Sequence, residues 1–174
     1  MSVEFKKYVQ EPMLTHDEWL TVSGIADQLH EHLNRPGVLE AITSANQPRV
    51  SSAEIQATFL DFAKRLGFES EKTGLFADLD LAVRPDYFLR VGQTGILLEV
   101  ERGKTTINNM DFLDFWKCHL CPGANYLFLL VPKALRQNET MRPRNEFQTV
   151  DRRLAKFFVE GNYTNVRGLC LFGY

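Results

Sequence analysis

The chain has 174 residues, 44% hydrophobic and 24% charged, with a formal net charge of −2. That is the size and chemistry of one globular domain with a real core, and it excludes a disordered or collagen-like chain. No apolar run reaches the roughly 18–20 residues of a membrane span, and the N-terminal MSVEFKKYVQEPM lacks the apolar stretch of a secretory signal.

Three cysteines, Cys118, Cys121 and Cys170, are too few for a disulfide scaffold, so a reducing cytoplasm is the expected location. Charge is unevenly spread: residues 1–80 carry 7 Lys/Arg against 13 Asp/Glu, and residues 81–174 carry 13 against 9. The basic excess gathers at Lys133, Arg136, Arg142, Arg144, Arg152, Arg153 and Lys156, a local surface able to meet a polyanion. A solvated helix face and loop explains the same charges more simply.

In chain order, residues 16–33 read as a helix, with Thr15 as its cap, Trp19, Leu20, Ile25, Leu29 and Leu33 apolar, and Pro36-Gly37 as its stop. A short helix follows over 37–44. Residues 52–66 read as one stronger helix, with Ile55, Phe59, Phe62, Ala63 and Leu66 at helical spacing and Gly67 ending it. Three strand-like runs come next: 76–83 (FADLDLAV), 86–91 (DYFLRV) and 95–101 (GILLEVE), the last two joined by a hairpin loop at Gly92–Gly95. An aromatic-rich helix opens at Asn108 and runs to Leu120, with Phe112, Leu113, Trp116 and Leu120 on its core side. YLFLLV, 126–131, is apolar on both faces, as a central parallel strand is. A polar loop over 134–145, a helix over 146–160 and a strand over 166–172 complete the chain. The expected fold class is α/β: a mixed sheet flanked by helices, with extra N-terminal helices.

The hairpin raises a chemical question, because carboxylates are costly to bury and Glu is a poor strand former. If Gly92 faces Gly95, Asp86 lies opposite Glu101 and Phe88 opposite Glu99. Alternation then gathers Asp86, Phe88, Arg90, Leu97, Glu99 and Glu101 on one face. Tyr87, Leu89, Val91, Ile96, Leu98 and Val100 take the other, which is apolar throughout. Carboxylates that close need a cation among them, either Lys104 or Arg90 in a salt-bridge cluster or a hard divalent metal.

At these residues the sequence resembles the PD-(D/E)xK phosphodiesterase superfamily of restriction-endonuclease-like nucleases. Pro85-Asp86 matches the PD, and Glu99-Val100-Glu101 matches the (D/E)xK in the ExE form that some type II restriction enzymes carry. The resemblance covers residues 51–132, where the family core runs helix, three strands, helix, strand. It implies a single nuclease-like domain: a helical extension over 1–48, a catalytic core over 51–132, and a C-terminal helix and strand over 133–174.

The resemblance further implies that Asp86, Glu99 and the Val100 carbonyl hold Mg²⁺, with Mn²⁺ as a substitute. Glu101 would orient or deprotonate water or ligate metal, and Lys104 would supply the ammonium missing from position 101. Glu54, on the preceding helix, is either a further ligand or merely the partner of Ser51 in a capping box. Arg90, Arg102, Lys117, Arg142 and Arg144 are the expected DNA contacts, although for Lys117 a solvent-facing position is the simpler expectation. The expected activity is metal-dependent DNA endonuclease cleavage of restriction type, with a homodimer cutting two strands. A non-catalytic nucleic-acid-binding or assembly module of the same fold, and a repair or recombination nuclease, are the alternatives.

Other signals fall away. Gly103-Lys104-Thr105 lacks the upstream glycine of a P-loop, Leu98 standing in its place. Cys118-x-x-Cys121 has no second pair and reads as buried thiols, and His30 and His32 point in different directions on their helix.

Overall fold

The computed structural model describes residues 2–47, 50–70, 84–103, 105–135 and 142–174. The strand expected over 76–83, Lys104 and the middle of the 134–145 loop lie outside the described residues.

The chain begins with a strand, β1 (Glu4–Val9), followed by α1 (Asp17–Leu33) and α2 (Pro36–Ala45). Next come two short helices, α3 (Ser52–Ala57) and α4 (Leu60–Arg65), and a two-residue strand β2 (Glu69–Ser70). The hairpin β3 (Tyr87–Val91) and β4 (Thr94–Val100) leads to α5 (Met110–Leu120) and β5 (Tyr126–Val131). A small pair, β6 (Ala134–Leu135) and β7 (Arg144–Asn145), precedes α6 (Glu146–Leu154) and β8 (Gly168–Gly173). The main sheet has six strands in the order β1-β8-β5-β4-β3-β2. Parallel pairing joins β4 to β5 and β5 to β8, and the remaining pairs are antiparallel. The sheet is mixed and flanked by helices, as the pattern predicts. None of the described helices is long and apolar enough to cross a membrane.

Each face of the sheet carries its own core. On one, Tyr87, Ile96, Leu98, Val100, Tyr126, Phe128, Leu130, Cys170 and Phe172 pack with Trp19, Val22, Ala26, Leu29, Ile42, Ile55 and Phe59 from α1 to α4 and their connections. On the other, Phe88, Leu97, Leu127, Leu129, Leu169 and Leu171 pack with Phe115 and Cys118 of α5 and Phe147, Val150 and Leu154 of α6. The β5 strand is buried along its whole length, which is why its sequence is apolar without alternation.

Four expectations need correction. The N-terminal strand was not anticipated: EFKKYV is charged because β1 is an edge, where charge discourages pairing with another chain. The 52–66 helix is two helices, interrupted where Phe59 leaves helical geometry (φ −130°, ψ 3°) and the Thr58 hydroxyl donates to the Ile55 carbonyl at 2.7 Å. The cap of α1 is His16, whose ring accepts from the Glu18 N–H, rather than Thr15. Finally, the hairpin turn lies one residue earlier than expected: Val91 faces Thr94 across a two-residue turn of Gly92 and Gln93, whereas the Gly92–Gly95 pairing puts Gln93 and Thr94 there. Gly92 sits at φ +59°, the glycine-first pattern that such turns favour because their twist matches the strands.

Candidate functional site

The turn correction shifts the register by two residues, and an even shift leaves every side chain on its expected face. It changes which carboxylate meets Asp86. The ladder pairs Tyr87 with Leu98, so Glu99 rather than Glu101 comes opposite Asp86. Hydrogen bonds tie the two: the Asp86 N–H donates to Glu99 Oε2 at 3.3 Å, and the Val100 N–H donates to Asp86 Oδ2 at 2.9 Å. Glu101 follows at the strand exit, half-buried, with its carbonyl accepting from the Tyr174 hydroxyl at 2.7 Å.

The lid over these carboxylates is α5, and it lies with the opposite face inward from the one its apolar pattern predicts. The buried positions are Asp111, Asp114, Phe115 and Cys118, whereas Leu113, Trp116 and Leu120 are 50%, 42% and 49% exposed. The sheet beneath presents Glu99 and Glu101, and the helix answers with its polar stripe. Lys117 accordingly points inward rather than to solvent: its Nζ lies 2.8 Å from Asp114 Oδ1 and 3.3 Å from Glu99 Oε1. Asp114, whose charge raises both Glu99 and Glu101, is the member that the sequence did not reveal. An acid three residues before a lysine ordinarily reads as an exposed helical pair. The usable signal was the 111-114-115-118 spacing, one helical stripe carrying two acids.

Burial dominates the electrostatics. Glu99, only 2% exposed, is pushed well above the usual carboxylate range by burial first and then by the Asp114 charge, with Lys117 pulling it back. Burial and Asp114 push Glu101 up to about 8. Burial likewise raises Asp114, against the pull of Lys117. For Lys117 burial works against the charge, but Glu99 and Asp114 outweigh it and hold the ammonium protonated. The Cys118 and Cys121 thiols are free and raised by burial, so neither is poised as a nucleophile.

Neighbouring contacts brace the segment between β4 and α5. Arg153 of α6 pairs with buried Asp111 at 3.1 Å and donates to the Thr106 carbonyl at 3.1 Å and to Asn109 Oδ1 at 2.6 Å. Glu146 Oε2 accepts from the Thr106 N–H at 3.1 Å. Asn109, which caps α5, is held in the left-handed region at φ 55°.

Other sequence candidates lie elsewhere. Glu54 is exposed in the first turn of α3, where Ser51 makes no side-chain cap. Arg102 donates to the Val50 carbonyl at 2.6 Å and so ties the strand exit to the loop before α3. Arg90 is exposed near the hairpin turn, with its guanidinium 5.6 Å from the Phe88 ring centre. Arg142 and Arg144 are exposed at and beside β7. Among the described residues no group of three or more His, Cys, Asp or Glu side chains is arranged to hold a metal ion.

No protein-family model matches the sequence, and no curated protein sequence does. In structure, the chain is similar to restriction endonuclease BglII, solved in complex with a DNA 16-mer. That similarity has 10% sequence identity and a TM-score of 0.46, and it covers 99% of this chain and 78% of the other.

Proposed function

We propose that this chain is a metal-dependent phosphodiesterase that cuts DNA as an endonuclease of restriction type. The observation that carries the reading is the coupling of Asp86 to Glu99 at the open end of the β3–β4 ladder, beside Glu101, Asp114 and the Lys117 ammonium. The order of a helix (α4), the β3–β4 hairpin, α5 and β5 supports it, matching the part of the expected helix, three strands, helix and strand that falls on the described residues; the strand expected over 76–83 lies outside them.

The donor chemistry suits Mg²⁺, with Mn²⁺ as a substitute. Carboxylate and carbonyl oxygens are hard ligands, and Mg²⁺ binds through few protein groups while keeping several waters. Among the described residues four carboxyls gather around one ammonium, and the upward shifts of Glu99, Glu101 and Asp114 reflect burial and like-charge crowding that a divalent cation would relieve. Asp86, Glu99 and the Val100 carbonyl would hold the ion. When bound, it would lower the pKa of a water and offset charge on the scissile phosphate. Glu101, held at about 8 by burial and Asp114, is matched to take the proton of the attacking water near neutral pH. The water oxygen then bonds to phosphorus as the bond to the leaving sugar oxygen breaks, and that oxygen leaves with the bonding pair and takes a proton from solvent. Exposed Arg142 and Arg144 supply the proposed contacts to the DNA backbone.

The absence of a three-donor group among the described residues favours a second reading, a non-catalytic DNA-binding module. Supercoiled plasmid with Mg²⁺ or Mn²⁺ separates the two. Nicking by the wild type that disappears in Glu99→Ala is the result expected of the enzyme. Retained plasmid binding with no cutting by either protein favours the module, and equal cutting by both overturns the site.

A further inference from the structure

We infer that Lys117, delivered by α5, is the catalytic cation of this site, doing from a helix what a lysine in place of Glu101 would do from the strand. The inference rests on the phosphodiesterase reading above.

A site that attracts a phosphodiester must present positive charge to an anion, yet the β4 strand offers Glu99 and Glu101. Among the described residues, Lys117 is the cation that ion-pairs with Glu99 and Asp114. Nearby arginines are engaged elsewhere: Arg102 on the Val50 carbonyl and Arg153 on Asp111. An ammonium has three donors; one goes to Glu99 as a hydrogen bond, and Asp114 is held beside it as an ion pair at 2.8 Å. The side chain keeps 27% of its surface exposed, so Lys117 sits at the rim of the cluster rather than sealed inside it.

Lys117 also lies where a metal held by Glu99 would have its own claim on that carboxylate. Two cations on one carboxylate compete, so a metal held by Glu99 would loosen the ammonium's hold on that carboxylate and leave Lys117 able to meet a phosphate. Asp114, fully buried one helical turn before Lys117, keeps the ammonium in place through that exchange. Asp114 is thus a positioning residue and Lys117 a catalytic one. A lysine that served only as a structural counter-ion would compete with the metal just the same, but its loss would leave cutting per folded, metal-loaded molecule unchanged, and a lysine moved into the strand would restore nothing.

The two roles separate in a pair of measurements on the full chain: plasmid cleavage with Mg²⁺, and Mn²⁺ binding by electron paramagnetic resonance without DNA. Lys117→Met, checked for folding by circular dichroism, is expected to cut about 10²-fold more slowly or worse. The same variant is expected to bind Mn²⁺ several-fold more tightly. Moving the lysine into the strand, as Glu101→Lys in the Lys117→Met background, is expected to restore cutting at least tenfold over Lys117→Met. Should the Met variant not fold, Lys117→Gln carries the same two readouts. A folded Lys117→Met that cuts like wild type overturns the inference and leaves the phosphodiesterase reading intact. Slower cutting with weakened Mn²⁺ binding also overturns it, since Lys117 would then merely shape the site. A wild type that never cuts sinks both ideas together.

Discussion

Leu98 and Glu99 are consecutive residues of β4, and they enter two different environments. Leu98 lies in a row with Phe128 and Cys170 across the parallel strands, inside a core of purely apolar contacts from α1 to α4. Glu99 enters the opposite face, where Phe88, Leu97 and Phe115 begin an equally apolar core that gives way to Asp114, Lys117 and Glu101 at the strand exit. Both residues are buried to the same degree. One contributes free energy through removal from water. The other costs free energy, because a buried carboxylate loses its hydration and faces like charges. Such a cost in an otherwise efficient core points to chemistry rather than folding as the reason for the residue.

Substitutions at the two positions should therefore move stability in opposite directions. Glu99→Gln should abolish cutting, by about 10³-fold or more given its place as the proposed ligand, while leaving the Tm unchanged or raised as repulsion with Asp86 and Asp114 falls. A lowered Tm with preserved cutting would reverse the assignment of the two faces. Leu98→Ala should cost about 2–5 kcal/mol in urea denaturation through lost burial and a cavity. The site would be disturbed only as far as the fold is.

The pH dependence of stability sharpens the contrast. Glu101 ordinarily titrates near 4.5 and is pushed up to about 8 in the fold. A carboxyl raised in this way favours the folded state most below 4.5, and that contribution declines as pH rises and is lost above about 8. Urea midpoints of the wild type should fall between pH 5 and 8, and Glu101→Gln should flatten that slope. Bound Mg²⁺ should oppose the fall, since the ionised carboxylates are what it binds. A slope unchanged by the substitution would place the raised carboxyl elsewhere. The smallest effect concerns the hairpin. A Cβ on Gly95 would come within 2.3 Å of the Phe88 ring, so Gly95→Ala should cost about 1–3 kcal/mol with little change in cutting per folded molecule.

Much of this arrangement was legible from residue order. Period-two alternation over DYFLRV and ILLEVE assigned Asp86, Glu99 and Glu101 to one face, and parity survived a wrong turn because the error was even. What failed was the turn's position, since Gly92-Gln93-Thr94-Gly95 contains two plausible two-residue turns and Thr94 belongs to the strand. There its hydroxyl donates to Asn125 Oδ1 at 2.7 Å, a partner 31 residues away. The reading of α5 failed for a related reason. Its stripe of Leu113, Trp116 and Leu120 is the more apolar one, and by pattern alone it belongs inside.

The sequence by itself thus determined the α/β class, the strand faces and the candidate carboxylates, because local periodicity reports which side of an element meets a core. Only the tertiary structure decided that Asp86 faces Glu99, that β1 closes the sheet edge, and that α5 turns Asp114 and Lys117 onto the carboxylates. The physical reason is that a helix is oriented by the surface it covers. The end of β4 offers charge there, and a charged stripe meets it better than an apolar one.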